Sequence, residues 1–223
     1  MRLFLSFIAL FGMALNISAL DIPEIFGNDM ILQRNTQCKI WGWAEANHYV
    51  RIVTGWDNHC YQVKAGSDGA WKVEVKTPEA SYNTYDITFT EYRSDPEKKA
   101  KGNQPIATSV SKDVLIGEVW FCSGQSNMEM PLGGFWNCPV EGANETILES
   151  KKYNRSIRVA TIAKDGKQEP QKKVAGKWEK AEPKNASRFS ACAYYFATTL
   201  TDALDVPVGV INCSWGGSCV EGW

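Results

Sequence analysis

The sequence predicts an α/β protein in two parts: an N-terminal antiparallel β-sandwich-like module, then a layered domain in which helices cover a parallel sheet. Three observations predict it. Up to about residue 110 the chain alternates polar and apolar residues in short segments split by turn signals. After Asp113 the alternation gives way to nearly continuous apolar runs, as in strands buried on both faces. Between two of those runs lies a stretch with helical spacing, and strand–helix–strand order argues for a parallel layered sheet. The expected boundaries are a leader at 1–19, the β-module at 20–110 and the α/β part at 111–223.

The leader comes first. Arg2 supplies a positive start, Leu3 to Leu15 is almost wholly apolar, and small residues end at Ala19. This is the layout of a secretory signal peptide, and the run is too short to span a bilayer comfortably. The protein is therefore expected to be exported: periplasmic or extracellular in a bacterium, secreted or lysosomal in a eukaryote. The β-module strands are read at Lys39–Trp43, Tyr49–Val53, Ala70–Val75 and Tyr85–Thr90. In the third, Trp71, Val73 and Val75 share one face. Turns fall at Gly55-Trp56-Asp57-Asn58, Ser67-Asp68-Gly69 and Pro78. Val114–Cys122 and Ile157–Ile162 read as doubly buried strands, Gly166–Ala186 as a long surface loop, Phe189–Leu204 as a helix and Val208–Asn212 as a third buried strand.

Composition excludes several classes. With 44% hydrophobic and 22% charged residues the chain can build a core. A formal charge of −1 gives no electrostatic reason to bind nucleic acid or an anionic membrane. Nine Trp include candidate sugar-stacking platforms, although the area an indole buries makes core packing their commoner use. Seven cysteines, none in a C-x-x-C pair, and only two His argue against a metal site, and no cofactor is expected. Export would let disulfides persist; Cys38 with Cys60 is one plausible pair and buried thiols the alternative. Asn144, Asn154, Asn185 and Asn212 head glycosylation sequons, of which Asn212 is discounted because it falls in a buried strand.

The chemistry-bearing feature is the strand ending at Cys122, which runs straight into Ser123-Gly124-Gln125-Ser126-Asn127-Met128. Ligands of α/β sheets bind at the carboxyl ends of strands, and a strand-to-helix turn holds a hydroxyl clear of the sheet. Ser126 stands where a nucleophile would, although no Gly follows at the second position as in a G-x-S-x-G elbow. A simple helix-capping turn is the competing reading of these residues alone.

The block Gly117 to Met130 resembles the nucleophile block of SGNH-type carbohydrate esterases, in particular of the sialate O-acetylesterase family. A second block, Pro207-Val208-Gly209-Val210-Ile211-Asn212-Cys213-Ser214-Trp215-Gly216-Gly217-Ser218 with Glu221 and Trp223, is similar to that family's glycine block. Met30-Ile31-Leu32-Gln33, Trp41-Gly42-Trp43 and Asp68-Gly69-Ala70-Trp71 resemble its N-terminal β-domain. The resemblance implies the first part of an SGNH-type three-layer α/β hydrolase domain and removal of O-acetyl groups from sugars, either sialate of the 9-O-acetyl type or acetylated polysaccharide. Ser126 would attack the ester carbonyl. Its own N–H, with that of Gly216 or Gly217, would hold the oxyanion.

The family also carries an Asp-x-x-His motif and a Gln-Gly-Glu type block, and neither is present here. His48 and His59 precede the nucleophile strand and read as surface turn residues. The expectation is therefore of a truncated chain lacking the catalytic Asp and His. A secreted, non-catalytic carbohydrate-binding protein with a degenerate hydrolase half is the alternative, and a lipase-like esterase is disfavoured for want of a long apolar lid.

Overall fold

The computed structural model describes residues 20–98 and 103–220. The expected leader at 1–19, and Glu221 and Trp223, lie outside these. The elements are β1 (Ile31–Gln33), β2 (Gln37–Trp43), β3 (Tyr49–Thr54), β4 (Cys60–Lys64), β5 (Ala70–Lys76), β6 (Ser81–Tyr92), β7 (Pro105–Gly124), α1 (Ser126–Glu129), α2 (Ala143–Glu149), β8 (Ile157–Thr161), β9 (Trp178–Lys180), α3 (Pro183–Ala186), α4 (Ala191–Leu204) and β10 (Val208–Ser214). One eight-stranded sheet runs β4-β3-β6-β7-β10-β8-β9 with β1 beside β7, and β2 and β5 form a separate two-stranded sheet.

The β2–β5 pair is antiparallel, and its apolar alternation puts Ile40, Trp71 and Val75 into one core with Val50, Ile52, Ile87 and Phe89 of the larger sheet. Strand β7 organises the rest. It is 20 residues long and passes without a break through the boundary expected at 110/111. Its first part pairs antiparallel with β6; from Glu118 onward the partner is β10, in parallel register Val208↔Glu118 to Ser214↔Gly124. Strand β1 lies parallel on the opposite edge, since Leu115 N–H donates to Met30 O while Glu118 N–H donates to Pro207 O. The parallel set is completed by β8 on β10.

The junction is held by charge. Asp113 sits at a left-handed φ of 57°, beside register shifts in the β6–β7 ladder. Arg158 of β8, 2% exposed, donates to the Asp113 carboxylate at 2.8 Å and to its backbone carbonyl. Lys180 reaches Asp113 at 2.5 Å and Asp29 at 3.2 Å. A buried guanidinium is tolerated only where acceptors are arranged around it.

Alternation in the parallel strands divides two cores. Val208 and Val210 join Ile157, Val159, Ala193, Tyr194 and Ala197 on the helical face, whereas Ala160, Ile211 and Val119 pack into the cluster of Ile40, Trp71 and Phe89. Helix α4 is capped by Ser190 Oγ accepting from Ala193 N–H. It buries Ala191, Ala193, Tyr194, Ala197 and Thr201, while Cys192, Tyr195 and Phe196, apolar residues at helical spacing, lie on its exposed face. The small residues allow close approach to the sheet. The larger face instead receives Trp120, edge-on to Phe196 at 5.1 Å.

Two sequence expectations are corrected here. Val114 to Gly117 is buried as expected, but Trp120 is 44% and Phe121 61% exposed. Strand β1 stops at Gln33, so past Val119 that edge of β7 has no strand beside it among the described residues. The expected surface loop at 166–186 contains β9 and α3. Trp178 is buried, its indole N–H donating to Ile25 O at 2.8 Å, and Ala181 and Ala186 are fully enclosed. Among the described residues no helix is long and apolar enough to cross a membrane.

Candidate active site

Strand β7 delivers Ser126 as the first residue of the one-turn helix α1. The side chain is exposed, and among the described residues its hydroxyl has no hydrogen-bond partner. Two blocks distant in sequence are brought together here, because β7 and β10 are parallel neighbours and finish level with each other at Gly124 and Ser214. Their following turns are tied at three points. Trp215 N–H donates to Gly124 O at 3.0 Å, the Gln125 side-chain amide donates to Ser218 O, and Gly216 N–H donates to a carboxylate oxygen of Glu129.

Gly216 is where the turns touch. A Cβ there would lie 3.3 Å from Ser126 Oγ and 2.7 Å from Glu129 Oε2. Gly217 has a left-handed φ of 78° and open space where a Cβ would be. Gly216 thus touches Ser126 and Gly217 follows it in the same turn, and their N–H groups are in different states. That of Gly216 is occupied by Glu129, whereas those of Gly217 and Ser126 have no partner among the described residues. Lys164, from the segment after β8, pairs with the other oxygen of Glu129. Its ammonium holds the Glu129 carboxyl below the usual carboxylate range; partial burial pushes the other way, and the Gly216 N–H adds to the lowering. Glu129 is an anion at neutral pH.

Beside this turn lies a cavity of about 380 Å³, lined among others by Ile162, Lys164, Lys173, Cys213, Ser214 and Trp215. Its cations are matched: Lys164 faces Glu129, and Lys173 faces Asp21 and lies 4.7 Å from the Trp43 ring centroid.

Neither histidine is near. His48 is not the surface turn residue expected: its side chain is 17% exposed and its Nδ1 lies 2.6 Å from Glu91, whose carboxylate is fully buried and requires such a partner. Glu91 is opposite Ala107 on β7, and Gly124 is 17 positions further along, roughly 56 Å of strand at 3.3 Å per residue. His59 is exposed, edge-on to Tyr61 at 4.5 Å, in the same distal region. Cys38 and Cys60 are not joined; they lie on β2 and β4, in different sheets, and all seven cysteines are free.

Sequence reasoning missed Glu129 and Lys164. A signal existed for the first: Ser126-Asn127-Met128-Glu129 has the Ser-x-x-Glu spacing of a helix start, which puts the carboxylate beside Ser126. Lys164 lies in a polar segment with no periodicity to mark it.

No family model matches the chain. It is similar to sialate O-acetylesterase of Homo sapiens, 28% identical over 206 residues, and to that of Mus musculus, 27% identical over the same length. Each match covers 88% of this chain but 37% and 36% of the relative, so the chain spans little more than a third of their length. Among solved structures it resembles a carbohydrate acetylesterase from Xanthomonas citri, with a TM-score of 0.76 and 28% identity over 92% of this chain and 42% of that one. The resemblance to sialate O-acetylesterases read from the two motif blocks thus extends over most of the chain, and its mixed α/β fold with a large sheet is similar to that of a carbohydrate acetylesterase.

Proposed function

We propose that this chain carries the nucleophile-bearing part of an exported carbohydrate O-acetylesterase, with an SGNH-type hydrolase domain and Ser126 as nucleophile. The observation that carries the reading is the meeting of Ser126 with the glycine turn: an exposed, uncommitted hydroxyl at the carboxyl end of a central parallel strand, beside a glycine that lets backbone N–H groups approach. Ser126 Oγ adds to the acetyl carbonyl carbon, and the charge on its oxygen is met by backbone N–H groups of Ser126 and the glycine turn. The sugar oxygen leaves with a proton, and water then hydrolyses the acetyl-serine to acetate and free enzyme. Each oxyanion donor contributes on the order of 3 kcal/mol to such a transition state. The sugar ring is proposed to lie in the cavity beside Trp215, whose indole is partly exposed and offers a stacking face.

The step needs a general base, and among the described residues no histidine stands near Ser126. The base is proposed to be a His, oriented by an acid, from the polypeptide corresponding to the part of the relatives that this chain does not cover. A second reading, a secreted sugar-binding protein without catalysis, is favoured by the partly exposed indole of Trp215 at the cavity. Acetate release from a chromogenic acetyl ester by the complete gene product separates them. The esterase reading expects turnover, fluorophosphonate labelling at Ser126, and loss of both in Ser126→Ala. An unlabelled Ser126 in a folded complete product rejects it.

A further inference from the structure

We infer that Glu129 is a positioning residue: its carboxylate clamps the glycine turn against Ser126 through the Gly216 N–H, leaving the N–H of Gly217, together with that of Ser126, to face the oxyanion. The clamp stands on geometry alone; the oxyanion assignment rests on the esterase reading above.

A carboxylate has only acceptors to offer, and an N–H has one proton to give. Once Gly216 donates to Glu129 it does not also serve a substrate oxygen, and the next amide in the turn is the one still uncommitted. Gly217 suits that task, because its left-handed backbone turns the chain and nothing lies within 4 Å of the place a Cβ would fill. The bond to Glu129 is charge-assisted and so stronger than an ordinary amide contact. Position reinforces it. Glu129 follows Ser126 by three residues on one helical turn, so nucleophile and clamp move as one body. Gly216 is the point where both touch the second turn, and a side chain there would meet the clamp before it met the nucleophile.

An anion so placed carries a cost that Lys164 removes. Oε2 of Glu129 and Oγ of Ser126 both lie close to the same point on Gly216, which bounds their separation at about 6 Å, the sum of the two distances. A bare carboxylate at that range opposes the negative charge that forms when Ser126 attacks. With Lys164 on its other oxygen the clamp keeps its hydrogen bond and presents little net charge to the site. Lys164 also lines the cavity beside Trp215, so the ion pair joins the wall of that cavity to the turn.

The test is amide hydrogen exchange at Gly216, followed in peptides spanning 213–218 of the intact protein, with turnover of an acetyl ester by the complete gene product as the second readout. In Glu129→Ala the Gly216 amide should exchange roughly tenfold faster or more, the loss of a charge-assisted bond. In Glu129→Gln the side-chain carbonyl still accepts, and protection should largely return. For turnover, Glu129→Ala should lower kcat by a similar factor with KM within about twofold, and Glu129→Gln should rescue most of it. Equal Gly216 exchange in wild type and Glu129→Ala overturns the clamp. Faster exchange with unchanged kcat overturns the assignment of Gly217 to the oxyanion. A wild-type protein without turnover rejects the esterase reading, while the exchange comparison still decides the clamp.

Discussion

Placing a methyl group at Gly117 should break the structure where β7 changes partners. Gly117 is buried, and a Cβ there would lie 2.0 Å from the Pro207 carbonyl oxygen and 2.8 Å from the carbonyl carbon, against an ordinary contact of 3.4 Å or more. The obstacle is backbone, pinned because the same carbonyl accepts from Glu118 N–H at 2.9 Å. Relief therefore requires moving the start of β10 by more than an ångström and giving up that bond. Overpacking of this kind costs about 1–3 kcal/mol and the bond about 1 kcal/mol; the unfolded-state gain of Gly→Ala returns about 0.4–1 kcal/mol. The net expectation for Gly117→Ala is a loss of about 2 kcal/mol, or roughly 4–8 °C in Tm for a protein of this size. Gly209→Ala on β10 is the control: its Cβ would meet Ile31 Cβ at 3.0 Å and the Trp178 ring at 3.2 Å, contacts short by only a few tenths of an ångström, so a smaller loss of about 1 kcal/mol is expected. Urea unfolding followed by Trp fluorescence measures both. A Gly117→Ala protein within about 0.5 kcal/mol of wild type, an ordinary surface-mutation effect, would refute the described spacing of β7 and β10.

Ser126→Ala should reduce acetyl-ester turnover by the complete gene product by several orders of magnitude while leaving Tm unchanged, since the side chain is exposed and unpartnered; retained turnover would remove Ser126 from the mechanism. His48→Ala should cost about 1–3 kcal/mol by leaving buried Glu91 with the Glu45 N–H as its remaining partner, and the added Glu91→Gln change should recover part of it; additive losses in a double-mutant cycle would count against the pair. Asp113 is pushed up by burial but carried below the ordinary carboxylate range by hydrogen bonds from Lys180 and Arg158. The stability it supplies is therefore complete above roughly pH 4 and lost as pH falls through the lowered value. Arg158→Met should flatten that acid dependence, which unfolding curves between neutral and acid pH would reveal.

Local pattern was legible in the sequence wherever burial and secondary-structure period agreed. The alternation in β5 and the apolar runs of β8 and β10 gave their positions within a residue or two. What a single strand period cannot show is partnership. Nothing local tells that Pro105–Gly124 is one strand serving β6 and then β10, because its two ends read as different strand types. Met30–Gln33 was marked only as part of a family resemblance, and Ile31–Gln33 within it is β1. Trp178 and Ala181 lay in a polar stretch and are buried by distant partners, Ile25 among them. The site divides the same way. Ser126 and both glycines were visible because their blocks are contiguous, while the Glu129–Lys164 pair is a tertiary contact between a helical turn and an aperiodic segment.

The burial of β7 separates two roles along one strand, and this decides how variants there should be interpreted. Val114 to Gly117 lies in the core, gripped by β1 on one edge and by β6 on the other. Beyond Gly117 the grip loosens by stages. Gln33 Oε1 still accepts from Val119 N–H at 2.8 Å and Arg34 pairs with Glu118 at 2.6 Å, after which that edge carries no strand and Phe121 stands exposed. From there to Ser126 the described backbone is paired with a strand on the β10 side alone and tied to the turn that follows β10. Substitutions before Gly117 should therefore act on stability and on turnover in proportion, through the folded fraction. Those at Ser126, Glu129 and Gly216 should act on the reacting geometry with little change in Tm. A variant at Glu129 that lost stability as heavily as Gly117→Ala would contradict this division. It would mean that the tie between the turns holds the sheet together and does not merely aim the nucleophile.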